Sequence, residues 1–299
     1  MTTLALTDLR ARVKSIDAVP TVPMIIRPLM AMLELPPDQV QVSKIVEMVS
    51  WDKTIAAQCL RMSNSALFGR AREIENVRDA VVALGLQRVQ AILLSCCLNQ
   101  VIPADEWIFD AVAFWRHSLG CALVSRKFGQ LIGCADPEKV YLAGLLHDLG
   151  ILVNSVLCPE EFRAALDLAK LKLIPLDQAE ELILGFSHAE AGAILAEQWH
   201  LPPDLIAVIE FHHKVENAKD AKALVALVHL SDLLCRVRGL GYGYYEAICL
   251  DMVEESAWKN VAEEYPQLGR IDLARFTFEI DGAMPEIYSL VDSVFAPQL

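Results

Sequence analysis

The sequence predicts an all-α protein built as a helical bundle, and three observations lead to this fold class. Apolar residues make up 54% of the 299 residues and charged residues 22%, which allows a sizeable buried core. The apolar positions recur at helical spacing, and runs rich in Val, Ile and Thr between turn dipeptides are missing. Because such runs are typical of strands, strands should be few. The low counts of Gly and Pro, 14 of each, exclude collagen-like and low-complexity classes.

Helical periodicity is clearest in three segments of the N-terminal third. Residues 42–49 place Val or Ile at the i, i+3, i+4 and i+7 positions of one helix face. Residues 55–62 repeat this pattern with one lapse, because Gln58 occupies an apolar position. From Ala80 to Leu93 the apolar residues do not alternate as they would in a half-buried strand. We expect this third segment to form one buried helix.

Helix ends are indicated by a capping pair and by prolines. Ser187 and Glu190 have the spacing of a capping box, which predicts a helix that begins at Ser187. Proline is tolerated in the first turn of a helix but not in its interior, so the prolines between the apolar segments mark loops or helix starts. These prolines are Pro36-Pro37, Pro103, Pro137, Pro159, Pro175 and Pro202-Pro203.

A domain boundary is predicted near Gln100–Asp105. The apolar pattern of residues 80–98 ends there, and Pro103 follows. This gives an N-terminal helical domain, residues 1–105, and a second helical domain, residues 106–299. All seven histidines lie in the second domain, so we expect the chemistry of the protein to lie there as well.

Several properties of the whole chain exclude classes of function. The net charge of −13 argues against general nucleic-acid binding, because phosphate neutralisation needs clustered Lys and Arg. The mean hydropathy is +0.35, yet polar residues interrupt the most apolar stretches well before the roughly 18–20 residues of a membrane span. The N-terminus carries charges from Asp8 onward and has no signal-peptide core, so we expect a cytoplasmic protein without membrane contact. The eight cysteines lack C-x-x-C spacing and are predicted to be buried free thiols.

A set of histidines and aspartates in the second domain forms a candidate metal site. Imidazole and carboxylate together suit divalent iron, manganese or zinc. One ion needs three or more such ligands, so seven side chains could hold two ions that share a carboxylate, activate water and clamp a phosphate. The candidates are His117, His147, Asp148, His188, His212, His213 and Asp232.

The spacing within this set has structural consequences. Adjacent residues on a helix point about 100° apart, so His147 and Asp148 reach one site more easily if the helix ends there, as Gly150 suggests. The adjacent His212 and His213 either flank a site, or one of them faces away. A single histidine is more often an ordinary surface or core residue, and packing of all seven side chains without metal is the alternative interpretation.

Two histidines are predicted to lie outside the site. His200 and His229 are expected to be ordinary residues. His229 precedes Asp232 by three positions on a predicted helix, so a hydrogen bond between these two side chains is its natural role.

The order H…HD…H…HH…D resembles the metal-ligand pattern of the HD superfamily of phosphohydrolases, especially its HD-GYP branch. Three stretches resemble the motifs of that branch: LAGLLHDLG (142–150), SHAEAGAIL (187–195) and IEFHH (209–213).

The N-terminal half contains Pro20 and Pro23, each preceded by a valine, and then Asp52 before an apolar helix. The turn Asn64-Ser65-Ala66-Leu67-Phe68-Gly69 and the Ala-x-x-x-Leu-Gly pattern from Ala80 to Gly85 follow. These motifs resemble those of the HDOD family, whose Leu-Pro-x-Leu-Pro start has valine here in place of both leucines. The likeness runs from about residue 16 to 215. We expect Asn64-Ser65 to be a structural turn, since Asn and Ser bond local backbone and no base lies nearby in sequence.

The resemblance implies an HD-like helical core in the second half and a role in bacterial signal transduction. HDOD proteins are generally non-catalytic relatives of the phosphohydrolases that act as regulatory or interaction modules. The implied partner is a signalling protein or a small signalling ligand.

One departure bears on catalysis. Ile151 stands where HD-GYP phosphodiesterases have a lysine, and the Gly-Tyr-Pro segment is missing. Loss of a cation beside a phosphate weakens substrate binding and charge stabilisation, and Lys214 or Arg116 are the candidates to replace it. A regulatory module is therefore favoured, and a metal-dependent phosphohydrolase of altered specificity is the alternative.

Overall fold

The computed structural model describes residues 39–50, 53–65, 73–98, 108–248 and 250–295, with single positions 9, 11, 28, 29, 32 and 35. Every regular element in these residues is an α-helix or a short 3₁₀-helix, and no strand occurs among them. The predicted all-α fold class is therefore confirmed. Pro20, Pro23, Asp52, residues 66–69 and the predicted boundary at Gln100–Asp105 lie outside the described residues.

The described N-terminal helices pack against one another and against the rest of the chain. They are α1 (Val42–Ser50), α2 (Lys53–Ser63), α3 (Val77–Leu84) and α4 (Leu86–Leu98). Helix α2 packs on α4, and Gln58 donates a hydrogen bond of 3.2 Å to the carbonyl oxygen of Val294 at the other end of the chain. The polar lapse in the pattern of α2 is thus a buried residue that ties this helix to the C-terminal helix. The division into domains at residue 105 stays a prediction.

Gly85 divides the segment that was expected to be one helix. This glycine has φ +89°, which ends α3, and α4 begins at the next residue. Glycine adopts a positive φ without the steric cost that other residues incur there. The prediction of a single helix from Ala80 to Leu93 was therefore wrong at this position.

Asn64 fastens the turn that follows α2. Its Oδ1 accepts a hydrogen bond of 2.7 Å from the Ile74 amide, and its Nδ2 donates to the carbonyl oxygens of Leu60 and Ile74. The side chain thereby holds two distant points of the backbone together. This geometry agrees with a structural role for Asn64.

The second half consists of helices arranged around one continuous core. They are α5 (Ala111–Leu131), α6 (Pro137–Leu146), α7 (Leu149–Leu157), α8 (Pro159–Lys172), α9 (Leu176–Ile183), α10 (His188–Gln198), α11 (Pro203–Phe211), α12 (Lys222–Val237), α13 (Ser256–Glu264) and α14 (Leu273–Val294). Helix α5 lies at the centre, where α6, α12 and α14 pack against it. The predicted helix start at Ser187 is confirmed, since Glu190 accepts a hydrogen bond of 2.9 Å from the Ser187 amide.

Gly150 serves a different purpose from the one expected. The helix ends at Leu146 and resumes at Leu149, so Gly150 lies inside α7 rather than beyond a helix end. A Cβ atom at Gly150 would lie 1.7 Å from the His188 carbonyl oxygen, and one at Gly192 would lie 2.8 Å from the Gly150 nitrogen. The two glycines therefore permit α7 and α10 to cross with their backbones in contact.

Replacement of Gly150 by alanine is expected to lower the free energy of unfolding by about 3 kcal/mol, because the new methyl group meets backbone that cannot turn aside. Urea unfolding followed by circular dichroism measures this effect. Gly282→Ala is the matched control. No atom of the described chain lies within 4 Å of a Cβ there, and alanine favours a helix by up to about 1 kcal/mol. Equal stability of Gly150→Ala and the wild type would contradict the close crossing.

The cysteines and the apolar segments complete the core. The seven described cysteines are free thiols and six of them are buried, as predicted, while Cys249 lies outside the described residues.

Residues Pro137–Leu157 are long and apolar enough for a membrane span, with a mean hydropathy of 1.6. However, 89% of that window is buried inside the protein, and the helix is interrupted after Leu146. This apolar character is therefore accounted for by packing in the protein core.

Candidate metal centre

The structure brings the seven predicted side chains together in the second half of the chain. His117 and Asp232 project from the facing helices α5 and α12, and His147-Asp148 occupy the break between α6 and α7. His188 is the first residue of α10, whose position the capping box fixes, and His212-His213 follow the end of α11. Six of the seven are fully buried and His213 is partly buried: His117, His147, Asp148, His188, His212 and Asp232 have 0% exposure.

Asp148 lies at the middle of the cluster and faces both sides of it. Its Oδ1 lies 3.3 Å from His188 Nε2 and 3.5 Å from His212 Nε2. Its Oδ2 lies 3.2 Å from the Nε2 atoms of both His117 and His147. The carboxylate thus separates two groups of donors and belongs to each of them.

Further short contacts join the donors on each side of Asp148. His117 Nε2 lies 3.1 Å from His147 Nε2 and 3.3 Å from Asp232 Oδ1. On the other side, His213 Nε2 lies 3.0 Å from His188 Nε2. The candidate ligand atoms of Asp148, His188, His212 and His213 lie within 4.8 Å of one another, and so do those of His117, His147 and Asp148.

The histidine rings are held in one orientation from behind. His117 Nδ1 lies 2.6 Å from the carbonyl oxygen of Leu240, and His147 Nδ1 lies 2.7 Å from that of Gly144. His212 Nδ1 makes the same contact with Ile209 at 2.9 Å. Since a carbonyl oxygen only accepts, each Nδ1 is the donor, and in a neutral ring the Nε2 lone pair faces the centre.

His188 is oriented by a side chain. Its Nδ1 and its backbone amide both donate to Glu180 Oε2, at 2.6 and 2.7 Å. Asn154 in turn donates to the other oxygen of this buried carboxylate at 2.9 Å. Carboxylate–histidine pairs of this kind fix the ring of a metal ligand and raise its basicity.

The donor set fits a divalent cation. The Nε2 atoms of His117 and His147, and those of His188 and His213, lie 3.0–3.1 Å apart, so a proton joins each pair in the metal-free centre and a cation held by both lone pairs would take its place. Three buried atoms, Asp148 Oδ1, His212 Nε2 and Asp232 Oδ1, have no hydrogen-bond partner among the described residues. Donors about 2.0–2.1 Å from one ion stand roughly 2.9–3.4 Å apart, which matches the separations in this cluster.

The buried histidines and carboxylates of the cluster shift one another's pKa values. Burial lowers the pKa of His117, but Asp148 and Asp232 more than offset it and raise that pKa to about 10. Burial also lowers the pKa of His188, but Glu180 and Asp148 more than offset this effect and raise that pKa to about 10. Although burial would raise the pKa of Asp148, the facing histidines hold it well below its usual range. In the metal-free centre, protons balance the carboxylates, and a divalent metal would displace them.

His212 and His213 differ from the other three histidines. Burial lowers the pKa of His212, and burial together with the neighbouring histidines holds the pKa of His213 well below its usual range. Both rings are therefore neutral near pH 7, which is the form that ligates a metal.

Like Glu180, three further residues at the centre were not predicted from the sequence. Arg236 Nη1 lies 3.2 Å from Asp232 Oδ2, and the guanidinium also pairs with Glu246. Tyr242 donates a hydrogen bond of 2.9 Å to Asp148 Oδ2. The i, i+4 spacing of Asp232 and Arg236 on one helix could have revealed the arginine. Tyr242 and Glu246 belong to the strap, residues 239–246, which also supplies the Leu240 carbonyl behind His117.

The two candidate replacements for the missing lysine, Arg116 and Lys214, are engaged in ion pairs. Arg116 pairs with Asp292 at 2.7 Å, and Lys214 pairs with Glu181 at 2.6 Å. Both pairs are partly exposed, whereas the side chain of Arg236 is only 4% exposed. Lys214 and Arg116 are thus both engaged by carboxylates, and Arg236 is a cation that contacts the candidate ligand Asp232.

The two histidines predicted to lie outside the cluster are ordinary residues. His200 follows α10 with φ +55° and is exposed. His229 was expected to bond to Asp232, but its Nδ1 lies 2.5 Å from the carbonyl oxygen of His212. His229 therefore supports the backbone of a candidate ligand instead.

The fold is all-helical in the described residues, and the side chains that converge in it follow the order H…HD…H…HH…D. The family model of the HDOD domain matches residues 19–215, about two thirds of the chain. The chain belongs to the HDOD domain family.

Similar proteins share this fold. The crystal structure of an HDOD domain protein of unknown function from Geobacter sulfurreducens is 29% identical, covers 98% of both chains and has a TM-score of 0.80. A Shewanella amazonensis SB2B structure, named as a candidate phosphohydrolase, is 22% identical with a TM-score of 0.70 and covers 94% of this chain and 97% of its own. At that identity the likeness shows the fold alone.

A curated relative has a longer chain. An uncharacterized protein of Treponema pallidum (strain Nichols) is 28% identical over 225 residues, which are 74% of this chain and 43% of that protein. The chain thus spans less than half the length of this relative.

Proposed function

We propose that the protein is a regulatory module of signal transduction whose second half is organised around a buried divalent metal centre. The observation that carries this proposal is the enclosure of the centre. Six of the seven candidate ligands are fully buried, and the strap lays Tyr242 on Asp148 and the Leu240 carbonyl on His117. The strap covers the side of the centre that holds His117 and Asp148 Oδ2, where a phosphodiester would have to displace it.

Two ions would be held by different faces of Asp148. One group comprises Asp148, His188, His212 and His213, and the other comprises His117, His147 and Asp148, with Asp232 beside it. Iron, manganese and zinc all suit imidazole and carboxylate ligands. Such ions, when bound, act as structural cross-links and as Lewis acids that lower the pKa of coordinated water. The protein contributes the orienting carbonyls, Glu180 and the dry surroundings.

The environment of Ile151 supports a regulatory role over catalysis. Ile151 is 1% exposed and packs in the hydrophobic core, so this position offers no cation to a phosphate. We infer that the output of the module is contact with a signalling protein or a small signalling ligand in the cytoplasm. The acidic net charge of −13 disfavours a general role with nucleic acid, and we propose no function at a membrane.

A metal-dependent phosphohydrolase is the second candidate function. The feature that favours it is the carboxylate shared by two donor groups, because two ions bridged in this way can activate water and clamp a phosphate. Arg236 would be the nearby cation, although it is engaged by Asp232 and Glu246.

Metal analysis of the purified protein tests the proposal. We expect bound iron, manganese or zinc, and a melting temperature that falls by 10 °C or more on removal of the metal with a chelator, which corresponds to roughly 3 kcal/mol or more. His188→Ala is expected to lose metal, while His200→Ala serves as the matched control because His200 is exposed outside the centre. Purified protein that contains no metal, and whose melting temperature the chelator does not change, would contradict the proposed metal centre. Metal-dependent turnover of a cyclic dinucleotide would favour the phosphohydrolase.

A further inference from the structure

A groove remote from the metal centre lies where α3 ends and α4 begins. Its volume is about 320 Å³, which is in the range of small-molecule pockets. One side of it is apolar, and Glu138 on α6 closes another. The apolar side consists of Met32, Leu35, Val40, Leu84 and Leu86.

The backbone of this groove is suited to an anion. Helix α4 begins at Leu86 and contributes its first turn to the lining, together with Gly85. The first N–H groups of a helix lack intrahelical partners and lie at the positive end of the helix dipole. A Cβ atom at Gly85 would meet no atom of the described chain within 4 Å, so a ligand can approach the backbone there.

An independent observation points to a ligand at the same place. Gln90 lines the groove and is only 2% exposed, yet its Nε2 has no hydrogen-bond partner in the described part of the chain. Buried amide groups are nearly always paired, because an unpaired one loses its hydration without compensation. An acceptor atom of a bound molecule would satisfy this donor.

The carboxylate of Glu138 at the groove is compensated by two cations. Arg88 lies 2.6 Å from one oxygen of Glu138, and Arg126 lies 3.9 Å from the other. Two guanidinium groups thus face one carboxylate. Asp136 accepts a hydrogen bond of 3.2 Å from the Gln87 amide and caps helix α6.

We propose that this groove binds a small amphiphilic oxyanion, a carboxylate or phosphate that carries a short apolar group. The oxyanion would lie against the start of α4, where Gln90 and Arg88 donate to it. The apolar group would cover Leu35, Val40 and Leu86. This site is separate from the metal centre and does not depend on its occupancy.

Binding of octanoate and octyl phosphate to the full-length chain tests the proposal by calorimetry and thermal unfolding. We expect saturable binding of at least one anion, and the preferred one identifies the headgroup as carboxylate or phosphate. Octanol and inorganic phosphate each lack half of the required chemistry and should bind at least about tenfold more weakly. The absence of saturable binding of both anions below about 1 mM would overturn the proposal.

The variant Gln90→Met separates ligand binding from a structural role. It should raise the melting temperature of the ligand-free protein, because it removes an unpaired buried donor, and weaken anion binding by about tenfold or more. Arg88→Gln on the protein surface should weaken binding in the same direction and covers the case in which Gln90→Met misfolds. Arg275→Gln is the control, since Arg275 is 77% exposed at a distant site. Unchanged affinity in both groove variants would overturn the assignment.

Discussion

Replacement of Asp148 by asparagine is expected to remove most of the bound metal and to lower the free energy of unfolding by about 3–5 kcal/mol. The carboxylate faces four Nε2 atoms at 3.2–3.5 Å, two from each of its oxygens, and an amide cannot supply the negative charge to either side. Without metal, the buried histidines would also lose the acid that balances their protons.

Metal content by mass spectrometry and urea unfolding check this expectation. Asp167→Asn is the matched control, because Asp167 is an exposed residue of α8 and should leave both quantities unchanged. An Asp148→Asn protein that retains its metal would show that the shared carboxylate is not a ligand.

Replacement of Arg236 by methionine is expected to destabilise the protein by a similar amount, about 3–5 kcal/mol. The change leaves the carboxylates of Asp232 and Glu246 buried, at 0% and 5% side-chain exposure, without the cation that pairs with both. Because Asp232 lies beside His117, we also expect weaker metal binding.

The neighbouring Arg238 provides the control for this prediction. It pairs with Asp281 at 37% exposure, so Arg238→Met should cost less than about 1 kcal/mol. A double variant, Arg236→Met with Glu246→Gln, should recover part of the lost stability because one of the stranded charges is removed. Equal stability of Arg236→Met and Arg238→Met would show that the buried ion pairs of Arg236 do not stabilise the protein more than the exposed pair of Arg238.

Local patterns predicted what depends on residues close in sequence. The periodicity of residues 42–49 predicted α1, and the spacing of Ser187 and Glu190 predicted the start of α10. Gly85 and Gly150 show the limit of such patterns. Gly85 has φ +89° and ends a helix, whereas a Cβ atom at Gly150 would lie 1.7 Å from the His188 carbonyl oxygen, so Gly150 permits two helices to touch. The local sequence does not distinguish these two uses.

The candidate site was predictable in its ligand types but not in its supports. The order of His and Asp residues named the seven side chains that the structure brings together. Glu180 reaches the centre from a different helix, α9, and Tyr242 and the Leu240 carbonyl reach it from the strap. No helical or strand period relates these residues to their partners. His229 was assigned to Asp232 from helical spacing, although its Nδ1 contacts a backbone oxygen on a different element.

The way the rings are held has a consequence for tolerance to mutation. His117, His147 and His212 are oriented by main-chain oxygens, which every amino acid possesses. Substitution at Leu240, Gly144 or Ile209 can shift such an oxygen but cannot delete it. His188 alone among these four depends on a side chain, that of Glu180. A single substitution, at Glu180, can therefore remove the group that orients one of these four rings, whereas no substitution can do so for the other three.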